Sequence, residues 1–84
     1  MYSTYVLYSS HFNKIYIGFS SNLENRLLIH NSRENKGWTA KYQPWEIFYT
    51  EEFEVKSEAL KREKQLKTSR GRAFIWKMIE DKSS

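Results

Sequence analysis

Three sets of polar residues stand where a plain hydrophobic core would not put them. Ala59, Leu60, Glu63 and Leu66 recur at the i, i+3, i+4 spacing of one helix face, and Glu63 is the single charged member of that stripe. A lone carboxylate is expensive to bury unless it is paired or bound to a metal. An ion pair with Lys67 or Arg62 and a metal site both meet that condition. Arg26 and His30 lie four residues apart, on one face of a second helical stretch. A guanidinium grips phosphate through two parallel hydrogen bonds and stays charged at any physiological pH. An imidazole moves a proton near neutrality. The plain alternative for this pair is a surface arginine and a half-buried histidine. In the run Ile15-Tyr16-Ile17-Gly18, strand alternation sends Ile15 and Ile17 to one face and Tyr16 to the other, with Gly18 beside it. A glycine ending a strand lets another backbone or a ligand come close; the plain reading of Tyr16 is a packed ring with a wet hydroxyl.

The elements that must position these groups follow from pattern and punctuation. Tyr5-Val6-Leu7-Tyr8 and Lys14-Ile15-Tyr16-Ile17 are rich in β-branched and aromatic residues, and the short polar link Ser9 to Asn13 makes them a hairpin. Ser21 and Glu24, three apart, have the spacing of a capping box. Leu23, Leu27 and His30 or Asn31 follow at helical spacing, predicting a helix over about 22–32. Residues 33–44 are polar, contain Gly37 and Pro44, and read as a loop. Trp45 to Thr50 is a third strand. Ser57 and Glu58 open a second helix that Gly71 breaks, and Phe74, Ile75, Met78 and Ile79 mark a short third one. The expected fold class is α/β (α+β), a small three-stranded and mainly antiparallel sheet flanked by helices in the order β-β-α-β-α-α. Pattern alone leaves the place of the third strand in the sheet open.

With 84 residues the chain has length for one domain, expected over 1–80 with a frayed tail at 81–84. A domain this small buries only about 60–65% of the surface its unfolded chain exposes. Its core must therefore use large side chains, which the 17% of Phe, Trp and Tyr supplies. The absence of cysteine rules out a disulfide partner, a thiolate metal site and a cysteine nucleophile. A mean hydropathy of −0.79 and the lack of a long apolar run exclude a membrane helix. No secretory signal is visible, so a reducing, cytoplasmic setting is expected. The net charge of +4 is unevenly spread. Residues 1–55 carry five basic and six acidic groups, whereas residues 56–84 carry nine and four. Lys61, Arg62, Lys64, Lys67, Arg70 and Arg72 form a cationic stripe of the kind a polyanion attracts. A solvated helix face is the plain alternative.

Taken in order, Tyr16-Ile17-Gly18, then Arg26 and His30, then Ala59-Leu60-x-x-Glu63, resemble the GIY-YIG nuclease superfamily. The likeness runs from about Tyr5 to Leu66. It is strongest to the small single-domain bacterial members, which are similar to the amino-terminal nuclease domain of excinuclease C. Ser3-Thr4-Tyr5 stands at the first tripeptide of the family and keeps only its tyrosine. Phe19 stands where many relatives have a lysine, and the family's later asparagine has no counterpart after Glu63.

The resemblance implies hydrolysis of phosphodiester bonds, most naturally in DNA and in a repair or recombination setting, with Mg²⁺ (or Mn²⁺) as cofactor. In that scheme Glu63 holds the metal, Arg26 stabilises charge on the scissile phosphate, and Tyr5 or Tyr16 orients or deprotonates water with help from His30. Gly18 is a structural motif residue. Lys41 and the stripe Lys61, Arg62, Lys64, Lys67, Arg70 and Arg72 would contact the nucleic acid backbone. With no appended recognition domain, structure-specific or weakly nonspecific cutting is the expectation. The rival expectation is a nucleic-acid-binding module of the same fold with weak or no turnover, in which exposed aromatics such as Phe12, Phe19, Trp38 and Tyr42 stack on unpaired bases.

Overall fold

The computed structural model describes residues 1–83. The hairpin forms as its composition dictates, with β1 over Tyr2–Ser9 and β2 over Lys14–Ser20 paired antiparallel. Asn13 closes the link at a φ of 55°, a left-handed conformation that asparagine tolerates better than most residues. Its side-chain carbonyl accepts a hydrogen bond from the Tyr8 hydroxyl at 3.1 Å. The third strand, β3 over Glu46–Phe53, lies on the opposite side of β1, also antiparallel, so the sheet order is β2-β1-β3. The hairpin strand β1 is thus central, and β2 and β3 are the edges.

The register separates two chemistries. Tyr5 pairs with Gly18 and Leu7 with Tyr16, while Val6 pairs with Ile17 and Tyr8 with Ile15. Side chains alternate along each strand. Val6, Ile15 and Ile17 therefore share one face, where they cluster with Leu66, Ile75 and Ile79 from the last two helices. Tyr5 and Leu7 share the other with Trp45, flanked by Tyr16, Leu23, Leu27 and Tyr42.

Helix α1 covers Leu23–His30, shorter than expected, and its cap is Asn22 rather than Ser21. The Asn22 side-chain oxygen accepts from the Asn25 backbone N–H at 3.1 Å, so the capping box does not form. The loop expected over 33–44 contains a 3-10 turn at Trp38–Tyr42 and a cis Gln43–Pro44 peptide bond. Its side chains are tied inward. The Asn31 side chain donates to the Trp45 carbonyl at 2.9 Å and accepts the Trp45 N–H at 2.7 Å. Gln43 donates to the His30 and Ser32 carbonyls, both at 2.8 Å.

Helix α2 spans Lys56–Leu66 and α3 spans Ser69–Ser83. Ala59 and Leu66 are buried on α2, but Leu60 is exposed, which corrects the expected apolar stripe. The Thr4 hydroxyl donates to the Ala59 carbonyl at 2.7 Å, and it is Ala59, not Leu60, that is buried. Glu63 follows one turn later. The break between α2 and α3 falls at Lys67 and Thr68 rather than at Gly71. Thr68 Oγ1 donates to the Gln65 carbonyl at 2.7 Å and accepts the Gly71 N–H at 3.1 Å, capping α3. Gly71 is needed for another reason: a Cβ there would strike the backbone of Gln65 and Leu66. The third helix is not short. It continues through Asp81 and Lys82, where a frayed tail is the expectation, and Lys82 Nζ lies 5.5 Å from the centre of the Phe48 ring. Ser84 lies outside the described residues. Among the described residues no helix is long and apolar enough to cross a membrane.

Candidate active site

The site gathers on the aromatic face, around the hydroxyl of Tyr5. Tyr5 is completely buried in the central strand. Opposite it, Gly18 leaves the room that its hydroxyl occupies, since a Cβ at Gly18 would lie 2.7 Å from the Tyr5 oxygen. The glycine is therefore a steric requirement of the tyrosine across the ladder. His30, at the last turn of α1, presents Nε2 to the Tyr5 hydroxyl at 3.4 Å. The half-buried ring of Tyr16 packs 4.5 Å from the His30 ring and 6.2 Å from that of Tyr5, so the three rings form one stack of polar-tipped aromatics.

Electrostatics orders the cluster. Burial pushes the Tyr5 phenol above its usual pKa of 10.0. The Arg26 guanidinium opposes that shift by hydrogen bonding and by charge, while the Glu63 carboxylate adds a smaller push upward. Arg26, Tyr16 and Glu63 all act on this one hydroxyl, although they come from α1, β2 and α2. His30 is only 6% exposed, and its pKa falls below 6.5, first through burial and then through the Arg26 charge. It is accordingly neutral at pH 7. Its other nitrogen, Nδ1, lies 2.9 Å from the hydroxyl of the buried Thr39. Thr39 also accepts from the Asn35 amide at 2.7 Å, and its carbonyl accepts the Trp45 indole N–H at 2.8 Å. Nothing local in the sequence marks Thr39. It is tied to His30 only because the 3-10 turn folds back on α1.

Glu63 is half-buried and pairs with Lys67 one turn on, at 3.2 Å. Both the ion pair anticipated for a stripe carboxylate and the charge contact with Tyr5 are thus present. The cationic stripe does not act as one surface. Lys67 and Arg72 line a cavity together with Tyr16. Arg62 turns the other way: its Nε donates to Glu51 at 2.9 Å, and Glu51 also accepts the Tyr49 hydroxyl at 2.7 Å. Lys61 lines a cavity with Glu51 and Glu58, and Arg70 lines one with Arg62 and Phe74. Both lie away from the tyrosines. Lys41 is exposed on the 3-10 turn and Lys64 on α2. The fold brings together Tyr5, Tyr16, Gly18, Arg26, His30 and Glu63, with Lys67 and Arg72 at the rim.

Residues 1–82 match the GIY-YIG catalytic domain family. The chain belongs to that family. Within it, the chain is similar to small proteins known as UPF0213. One from Staphylococcus haemolyticus is 37% identical over 70 residues, covering 83% of this chain and 84% of the relative. Another, from Natronomonas pharaonis, is 33% identical over 69 residues, covering 82% and 80%. A third, from Staphylococcus saprophyticus, is 39% identical over 54 residues, covering 64% and 66%. No solved structure matches the chain significantly. The GIY-YIG assignment makes this a nuclease-type domain, and nucleic acid is the substrate class that goes with it.

Proposed function

We propose that this protein is a metal-dependent endonuclease that hydrolyses phosphodiester bonds in DNA. The observation that carries this reading is the gathering of His30 and Tyr16 around Tyr5, with the charges of Arg26 and Glu63 bearing on its hydroxyl, since three separate elements contribute to one small polar cluster. Structure-specific or weakly nonspecific cutting, in repair or recombination within the cytoplasm, is the role that suits a domain of this size.

A divalent cation fits the donor set in one particular form. Among the described residues there is no group of three or more His, Cys, Asp or Glu able to enclose a metal. A closed zinc-type site, with four protein ligands, is therefore a poor match. Mg²⁺ commonly takes only one or two protein carboxylates and completes its shell with water and substrate phosphate. Glu63 alone is an adequate protein ligand for Mg²⁺ or Mn²⁺. When bound, the ion polarises a phosphoryl oxygen and stabilises charge near the leaving oxygen.

The chain's own residues do the rest. Arg26 is exposed and carries a fixed positive charge, suited to binding the scissile phosphate and stabilising it as negative charge builds. Tyr16 is the more accessible tyrosine and orients the attacking water. Tyr5, fully buried, acts behind it as a positioning residue. With the proton on Nδ1, His30 donates to Thr39 and keeps Nε2 facing the Tyr5 hydroxyl as an acceptor. Nε2 of the neutral imidazole thus holds the Tyr5 hydroxyl in place and can take up its proton.

The experiment is direct. Purified protein is incubated with nicked, branched and single-stranded DNA in Mg²⁺ or Mn²⁺, beside Glu63→Ala and Arg26→Ala. Cleavage should require the metal, disappear in Glu63→Ala and fall about 100- to 1,000-fold in Arg26→Ala. Binding without metal-dependent cleavage of any substrate would instead favour a binding module. The observation in favour of that second reading is the Lys67 ammonium, which occupies the Glu63 carboxylate.

A further inference from the structure

Beside the Tyr5 cluster, along the outer edge of β2, lies a cavity of about 280 Å³ lined by Ile15, Tyr16, Ile17, Trp38, Lys67 and Arg72. Of the cavities described above it is the one that Tyr16 lines. One wall is an indole that is 48% exposed. Trp38 is backed by the rings of Tyr42 at 4.8 Å and Trp45 at 5.9 Å. Trp45 is in turn fixed by its indole N–H to Thr39. A half-exposed indole offers a flat π-face on which another ring can stack. Lys67 and Arg72 add two cations to the lining. Arg72 Nε donates to the Lys67 carbonyl at 3.2 Å, which sets the guanidinium plane, and Lys67 Nζ reaches Glu63. Tyr16 forms part of the floor, so the cavity adjoins the site where a phosphate would be cut.

An exposed aromatic ring and two cations lining one cavity suit a planar π-system joined to a phosphate. We propose that this cavity is a subsite for one unpaired nucleobase of the strand being cut, stacked on Trp38, with its phosphate held by Arg72 and Lys67. A base inside a duplex has both faces covered by its neighbours and cannot reach Trp38 without leaving the stack. The subsite therefore selects bulged, flapped or single-stranded nucleic acid over a fully paired duplex. This inference rests on the nuclease reading for its substrate, but it concerns binding and is tested without turnover.

Glu63→Ala protein, free of added metal, is titrated by fluorescence anisotropy with a dye-labelled single-base bulged duplex, the matching fully paired duplex and a single-stranded oligonucleotide, and by intrinsic tryptophan fluorescence with the unlabelled forms and a nucleoside monophosphate. Trp38→Ala and Trp38→Phe are made in the same background, with thermal melts to establish folding. Stacking should quench the fluorescence with bulged and single-stranded DNA. Trp38→Ala should weaken those two about tenfold, within what loss of a stacking platform costs, and leave the paired duplex unchanged, while Trp38→Phe keeps most of the preference. Quenching by the monophosphate as strong as that by the oligonucleotide would show a free-nucleotide site and overturn the assignment to a strand. Equal weakening on all substrates, or none, would also overturn it. Selective binding without cleavage by the wild type would defeat only the nuclease reading. Cleavage with no Trp38 dependence of binding would defeat only the subsite.

Discussion

The two faces of the sheet are built from the same two hairpin strands, one residue out of phase, yet they have little in common. The face under α2 and α3 buries Val6, Ile15, Ile17, Leu66, Ile75 and Ile79, an aliphatic set ringed by the partly buried Tyr8, Phe48, Tyr49, Trp76 and Met78. The face under α1 and the 3-10 turn buries Tyr5, Leu7 and Trp45, together with the polar His30 and Thr39. Aliphatic side chains gain from leaving water and ask for nothing in return. Buried hydroxyls and imidazoles must each find a partner, at a net gain of only about 1 kcal/mol per hydrogen bond. The difference teaches a division of labour. One face supplies the stability that lets the other hold polar groups in a dry, fixed arrangement.

The largest test of that division is a pair of substitutions, one per face. Leu66→Ala empties a site at the centre of the aliphatic cluster and should cost about 2–5 kcal/mol in urea denaturation. Tyr5→Phe keeps the ring and removes a hydroxyl whose bond to His30 is long, at 3.4 Å, and should cost no more than about 1.5 kcal/mol. Equal costs would mean that the polar face also bears the fold.

A smaller effect is expected at the seam. Gly18→Ala introduces a Cβ 2.7 Å from the Tyr5 oxygen, and the buried ring has little freedom to retreat. Overpacking of this kind costs about 1–3 kcal/mol. The same change should displace the hydroxyl from His30, so DNA cleavage should fall more than the modest loss of stability explains. Full activity in a destabilised Gly18→Ala protein would separate the Tyr5 position from function.

How much of this is legible in the sequence depends on how local each feature is. Strand alternation places Tyr16 opposite Ile15 and Ile17, and the register bears that out, because side-chain direction in a strand is a property of the strand alone. The β-β-α-β-α-α order is equally readable. Leu60 misleads because helical spacing allows a stripe to be centred on either side of Ala59. The choice is made by tertiary packing, which buries Ala59 and Leu66 and brings the Thr4 hydroxyl, 55 residues away in sequence, to the Ala59 carbonyl. Gly71 has the look of a breaker, whereas the cap comes from Thr68 and the glycine answers to packing between α2 and α3. Thr39 and the Trp38 cavity cannot be read at all, since both exist only once the 3-10 turn folds back beside β2. Charge alone also makes the basic stripe look uniform. The structure divides it between the Tyr16 side and the Glu51 side.

The smallest effect probes the polar face by pH. The His30 pKa lies below its ordinary 6.5 because burial and Arg26 disfavour the imidazolium. Above pH 6.5 both folded and unfolded chains hold a neutral imidazole, so the contribution of the site is fully present. As the pH falls below that value the unfolded chain takes up a proton more readily than the folded one, and stability is lost until the folded pKa is passed. His30→Gln removes this linkage while leaving a polar group of similar reach. Urea midpoints measured between about pH 7.5 and pH 5 should therefore fall more steeply for the wild type than for His30→Gln, with the divergence opening near the ordinary histidine pKa. The buried members of the aliphatic cluster carry no titratable group, so a variant there such as Ile75→Val should keep the wild-type slope. Parallel curves for wild type and His30→Gln would mean that His30 is solvated in solution, and the neutral imidazole assigned to the site would have to be abandoned.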